Sequence, residues 1–230
     1  SMKKAVYAAV LVLALVLAVP AAAFELSGEL WSVSEQEFIP EGQLTNIYRA
    51  ELTLMQIGPV RLMGGADYGG KPNHITDFID LIRDDLDDEK LADLDDFYIL
   101  GGLDGKVRVD WPVLGQLDII TSVGYRVLGN VSKAETGIDG GLYGGIEYSA
   151  GLGIDIAPGL RLSGVYEYAP SLITLVGEED QGKVEGIDIS IEYQIPLVLA
   201  KAGYRSQFFE LEEAQGHRIS GFYVGAGIHF

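Results

Sequence analysis

From position 24 to the C-terminus, apolar and polar residues alternate with a period of two, which predicts strands and not helices. Ten alternating segments can be marked: 24–33, 44–55, 59–68, 97–111, 116–128, 140–156, 160–169, 184–195, 197–209 and 218–230. Their connections alternate in length. Short ones fall at 56–58, 112–115, 157–159 and Pro196, and long ones at 34–43, 69–96, 129–139, 170–183 and 210–217. Such an alternation gathers every long loop at one end of an up-and-down antiparallel sheet. An even strand number leaves both chain ends beside the short turns. The predicted fold is therefore all-β, an antiparallel up-and-down barrel of about ten strands, with eight to twelve compatible with the pattern.

Charge gives the two faces their identity. Within the segments, charged residues fall on the less apolar face, apart from Glu185 and Arg218 at the long-loop ends. The charged face comprises Arg49, Glu51, Arg61, Lys106, Arg108, Asp110, Asp118, Arg126, Glu147, Asp155, Arg161, Glu167, Asp188, Glu192, Lys201 and Arg205, with Glu25, Glu29, Asp67 and Asp104 in addition. A soluble ligand barrel would turn the apolar face inward and leave these charges in water. The aromatic pattern argues for the opposite arrangement. Tyr48, Tyr68, Phe97, Tyr125, Tyr166, Tyr168 and Phe208 fall near long loops, and Phe24, Trp111, Tyr193 and Phe230 near short turns. Two aromatic girdles of this kind mark the interfaces of a transmembrane barrel.

The first 23 residues read as an export signal and the rest, 24–230, as the barrel domain. Lys3 and Lys4 precede an apolar run from Ala5 to Val19, and Ala21, Ala22 and Ala23 offer a cleavage site before Phe24. That run is shorter than the roughly 20 residues a membrane helix needs. Ser1, ahead of Met2, reads as a cloning remnant. Without Lys3 and Lys4, the 16 basic residues become 14 against 34 acidic ones. This argues against nucleic acid or anionic phospholipid as a partner. The chain has no cysteine, so no disulfide staples the exported fold.

The closing stretch, "SGFYVGAGIHF", resembles the C-terminal signature of bacterial outer-membrane proteins, a last strand with alternate apolar residues and a terminal Phe. The resemblance implies that Phe222, Val224, Ala226, Ile228 and Phe230 form the face read by the barrel-assembly machinery. It also implies an outer-membrane location, periplasmic short turns and extracellular long loops. The chain looks like a small barrel of the OmpA/OmpX-like group, with a strand count nearer the OmpT-like proteases. Outer-membrane lipid and lipopolysaccharide are the partners this implies.

Three places could carry chemistry. The inward face would hold 12 carboxylates and 8 cations, which either pair and close the lumen or line a narrow, cation-favouring pore. Gly145, Gly151 and Gly153 would leave space beside Glu147 and Asp155. Loop 69–96 is the second place. Ile75, Phe78, Ile79, Ile82 and Leu86 have helical spacing, and Asp84, Asp85, Asp87, Asp88 and Glu89 offer hard oxygen ligands for Ca²⁺ or Mg²⁺. That cluster lacks the glycine and spacing of an EF-hand, so a solvated acidic face is the expectation and no cofactor is required. The same loop could serve surface adhesion or binding. Together the long loops hold 21 acidic and 5 basic residues. The third place is the rim. His74 near Asp77, or His217 after Glu212 and Glu213, could pair as base and orienter in a hydrolase. No motif of the outer-membrane proteases accompanies them, and an enzyme is not expected.

Overall fold

The computed structural model describes residues 25–37, 39, 44–70, 97–134, 137–176, 180–212 and 217–229. The 1–23 segment, Phe24, Phe230, His74 and the acidic cluster from Asp84 to Glu89 lie outside these residues, as does the 75–86 helix expected from the sequence. Ten strands are present: β1 (Glu25–Glu37), β2 (Asn46–Ile57), β3 (Val60–Gly69), β4 (Phe97–Leu114), β5 (Leu117–Ala134), β6 (Gly137–Ala157), β7 (Leu160–Val176), β8 (Gln181–Ile195), β9 (Val198–Leu211) and β10 (His217–His229). Each pairs antiparallel with its chain neighbours, and β1 pairs with β10 to close the barrel.

At one end the strands meet in two-residue turns, which need a positive φ to match the twist of the flanking strands. Gly58, Gly115 and Gly159 supply it with φ of 58°, 54° and 75°. The fourth turn places Leu197 at φ 77°, a side chain in the left-handed region.

At the other end the strands outrun the sequence reading. The segment 129–139, expected as a loop, is mostly ladder, with Asn130 opposite Gly141 and Ala134 opposite Gly137. The 170–183 connection is also largely strand, because β7 carries Pro170 through a bulge between Ala169 and Leu172 and then pairs on. A proline cannot donate to a ladder, and a bulge is where a strand tolerates one. A further bulge between Val33 and Glu35 carries β1 to Glu37. Tyr125, Tyr148 and Tyr166 consequently lie within their strands. The sheet continues from Tyr125 to Ala134, on the order of 20 Å above that level for a tilted strand.

The pleat sends charged side chains inward and apolar ones outward. Leu30, Leu103, Val107, Val123, Leu152, Ile187 and Ile191 are exposed on the outer surface, whereas Glu29, Arg49, Arg126 and Glu147 are buried inside. A continuous apolar exterior of this extent is unfavourable in water and matched by lipid. The soluble-barrel alternative is thereby excluded. Trp111 and Tyr193 are exposed near the short turns, and Tyr48, Tyr125, Tyr148 and Tyr166 towards the other end. Tyr166 stacks with Tyr168 at 6.4 Å, and Tyr204 meets Phe222 edge-on at 5.3 Å.

Candidate functional site in the lumen

The interior is organised in three levels. At the short-turn end the lumen opens into a vestibule of about 910 Å³, lined by Glu25, Arg61, Asp155, Arg161, Glu192 and His229 among others. Asp110 gathers the guanidinium groups here. Arg61 pairs with it, Arg108 donates from Nε at 2.8 Å, and Arg161 Nη2 lies 3.7 Å away. Arg161 also reaches Asp118 at 2.7 Å and Asp155 at 3.1 Å.

The middle level is built of two groups of ion pairs that face each other across the lumen. Arg49, on β2, donates through Nη1 to both oxygens of Asp67 at 3.0 and 2.8 Å and through Nη2 to Asp104 at 2.8 Å. Lys106 links Asp104 to Glu167, at 3.8 and 3.4 Å. Arg126 holds Glu147, reaches Glu167 at 3.5 Å and donates to Gln207 at 3.3 Å. Across the lumen, Glu29 takes Lys201 at 2.9 Å and Arg205 at 3.0 Å, while Arg205 also grips Asp188. Tyr223 donates to Asp188 at 2.8 Å, and its ring lies 4.6 Å below the Arg205 guanidinium. Low dielectric raises the cost of any unpaired charge here, so cross-strand spacing that gives Arg49, Lys106, Arg126 and Arg205 two or more acids each, and Lys201 one, is what makes the burial tolerable. The cavity left among these groups is about 80 Å³, room for a handful of waters.

Inward glycines make room for the guanidinium groups. A Cβ at Gly65 would collide with Arg49 and Asp104, and one at Gly153 with Arg161. Arg161 thus occupies the room that Gly153 leaves, while Asp155 itself borders the open vestibule. At Gly145 a Cβ would meet the Ser171 carbonyl and Leu172, and at Gly151 the Gly164 carbonyl.

The third level, towards the long-loop end, is apolar, and the sequence reading missed it. Trp31, Ile47, Tyr98, Leu100, Ile219 and Tyr223 form one buried cluster with Ile39 and Leu44. Leu128, Tyr143, Ala169, Leu172, Val184, Phe209 and Leu211 form a second. His217 sits between them, 1% exposed, with Nδ1 3.2 Å from the Tyr98 hydroxyl and its ring 5.3 Å from Phe209. No carboxylate hydrogen-bonds it among the described residues, so the expected pairing with Glu212 is not formed. The signal was in the sequence: at the upper ends of β4, β5, β8 and β9 the inward phase passes from charge to Leu100, Leu128, Val184 and Phe209, and β10 adds Ile219.

All sixteen charged residues singled out from Arg49 to Arg205, with Glu25, Glu29, Asp67 and Asp104, share the inward phase of the barrel. Eighteen of the twenty take part in the ion pairs of these two levels, among them Glu51, 3.4 Å from Arg49. Glu25 and Glu192 make no ion pair among the described residues. Phe222, Val224 and Ile228 face outward and are exposed, with Ala226 in the same phase. Among the described residues no group of three or more His, Asp or Glu side chains is arranged to hold a metal.

No protein-family model matches the chain, and no curated protein matches it in sequence. Similar solved structures are outer-membrane proteins. The N-terminal β-barrel domain of Pseudomonas aeruginosa OprF is 12% identical over 90% of this chain and 97% of that one, with a TM-score of 0.41. The outer-membrane protease OmpT of Escherichia coli is 8% identical over 90% and 96%, with a TM-score of 0.46. Ail, the attachment invasion locus protein of Yersinia pestis, is 9% identical over 92% and 100%, with a TM-score of 0.40.

Proposed function

We propose that the chain is an integral protein of the bacterial outer membrane whose lumen is sealed, and that it works as a structural, surface-presenting barrel and not as a pore. The observation that carries this reading is two seals in series: the ion-pair network, with about 80 Å³ left inside it, and the apolar layer above. An ion crossing the first would have to displace paired charges, and crossing the second would strip its hydration. A negative bias of the lumen charge is consequently not expressed as cation flow.

Export by residues 1–23, short turns on the periplasmic side and recognition of the last strand by the assembly machinery belong to the same reading. The outward apolar phase of β10 supports that recognition, and the aromatic girdles support contact with lipid and lipopolysaccharide. No enzymatic role is assigned. A surface-binding role is the second reading, favoured by the hairpins of β5, β6 and β7, which carry exposed Ile173, Leu175 and Val176 above the girdle.

Osmotic swelling of proteoliposomes tests the sealed lumen. Vesicles holding the folded barrel should swell in arabinose or potassium chloride no faster than empty ones. Swelling in proportion to protein content would overturn the reading.

A further inference from the structure

The vestibule at the short-turn end has a charge imbalance that its own ion pairs do not resolve. Glu192, on β8, lies opposite Arg161 on β7 and Lys201 on β9, the two positions from which a cross-strand cation would meet it. Both cations are committed elsewhere. Lys201 turns up to Glu29 at 2.9 Å, and Arg161 turns away to Asp118 at 2.7 Å and Asp155 at 3.1 Å. Glu25, on β1, lies opposite His229 and Thr53. His229 contacts Gln194 at 3.1 Å, and Thr53 carries no charge. Arg61, which lines the same cavity, pairs with Asp110. Of the three carboxylates that line this water-accessible cavity of about 910 Å³, Asp155 is paired with Arg161 and the other two make no ion pair among the described residues, while Arg61, Arg161 and Lys201 each hold another acid.

We infer that the vestibule is a binding pocket for a small organic cation bearing ammonium groups, entering from the short-turn side and held by Glu25 and Glu192. The rest of the lining suits such a ligand better than a bare metal ion. Gln56 and Gln116 supply amide oxygens for ammonium hydrogen bonds, and Ala157, Pro158 and Leu160 give an apolar rim for the methylenes between charges. A metal would need its carboxylates converged on one point, and among the described residues no group of three or more His, Asp or Glu side chains is so arranged. Charge-assisted hydrogen bonds to two carboxylates hold the ammonium ends, and the ion-pair network above stops the ligand from passing on. Only this blind end of the pocket rests on the sealed-lumen reading.

The test is calorimetric titration of the full, detergent-folded barrel with putrescine at low salt. One-to-one saturable binding is expected. The Glu25→Gln/Glu192→Gln double variant should bind about tenfold or more weakly. A Glu37→Gln/Glu212→Gln variant, which removes the same charge from the opposite end, should bind as the parent does. The slower gel or faster gel mobility of unboiled protein, matched to the parent, establishes that each variant is folded. Absence of saturable heat, or equal loss in both variants, overturns the inference, the second outcome meaning general attraction to an acidic protein. Ion flux through the same preparation would overturn the sealed lumen and leave the binding result standing. A silent barrel that ignores putrescine would overturn the pocket alone.

Discussion

Single residues carry unequal weight in this barrel because the interior admits so few unpaired charges. Arg49 faces Asp67, Asp104 and Glu51 at once. Replacing it by Met should destabilise the protein by about 3–5 kcal/mol, since three buried carboxylates lose their shared cation. Urea unfolding in detergent micelles measures this. An effect below 1 kcal/mol would mean that the carboxylates are not held by pairing. The exposed pair of Arg218 and Glu37, 4.0 Å apart, should by contrast contribute almost nothing. Leu197 is the reverse case, a residue at odds with its backbone. Leu197→Gly should raise stability by about 1 kcal/mol in the same assay, because glycine meets a φ of 77° without steric cost. A loss of stability would show instead that the leucine side chain is needed at the turn.

At the scale of strands, the alternating pattern was legible wherever lipid lay on one side and charge on the other. All ten strands could be marked from that contrast. Their upper ends could not, because the contrast fades above the bilayer. The stretch from Gly129 to Ala134 has no strong apolar phase, and yet it pairs in register with β6. Pro170 looked like a stop and is absorbed by a bulge. The charged lumen was legible residue by residue, since inward parity alone assigns Glu29 or Lys201. The partners were not, because Lys201 reaching Glu29 and Arg126 reaching Gln207 depend on closure, which brings β9 to β1 and β5. The apolar seal was missed for a related reason: inward apolar residues at five strand ends become one layer only when the barrel closes. Phe209, 1% exposed between Tyr143 and His217, tests that layer. Phe209→Ala should cost about 3–5 kcal/mol. A neutral result would mean that the layer is loosely packed and is not a seal.

As a whole molecule, the barrel combines an exterior suited to lipid with an interior that, among the described residues, is packed at two levels and widens into a vestibule at the short-turn end. Among the described residues, the outward belt is apolar and the buried acids face the lumen network, so they do not oppose insertion. A pore would require a continuous water path, which under the proposed reading the ion pairs and the apolar layer each interrupt. The central claim is therefore a statement about conduction. Single-channel recording of the folded, inserted barrel in a planar bilayer tests it most directly. Sealed as described, the protein leaves the bilayer at its baseline conductance across the applied voltage range. Stepwise, protein-dependent currents would contradict the account and mean that the network opens into a path for ions.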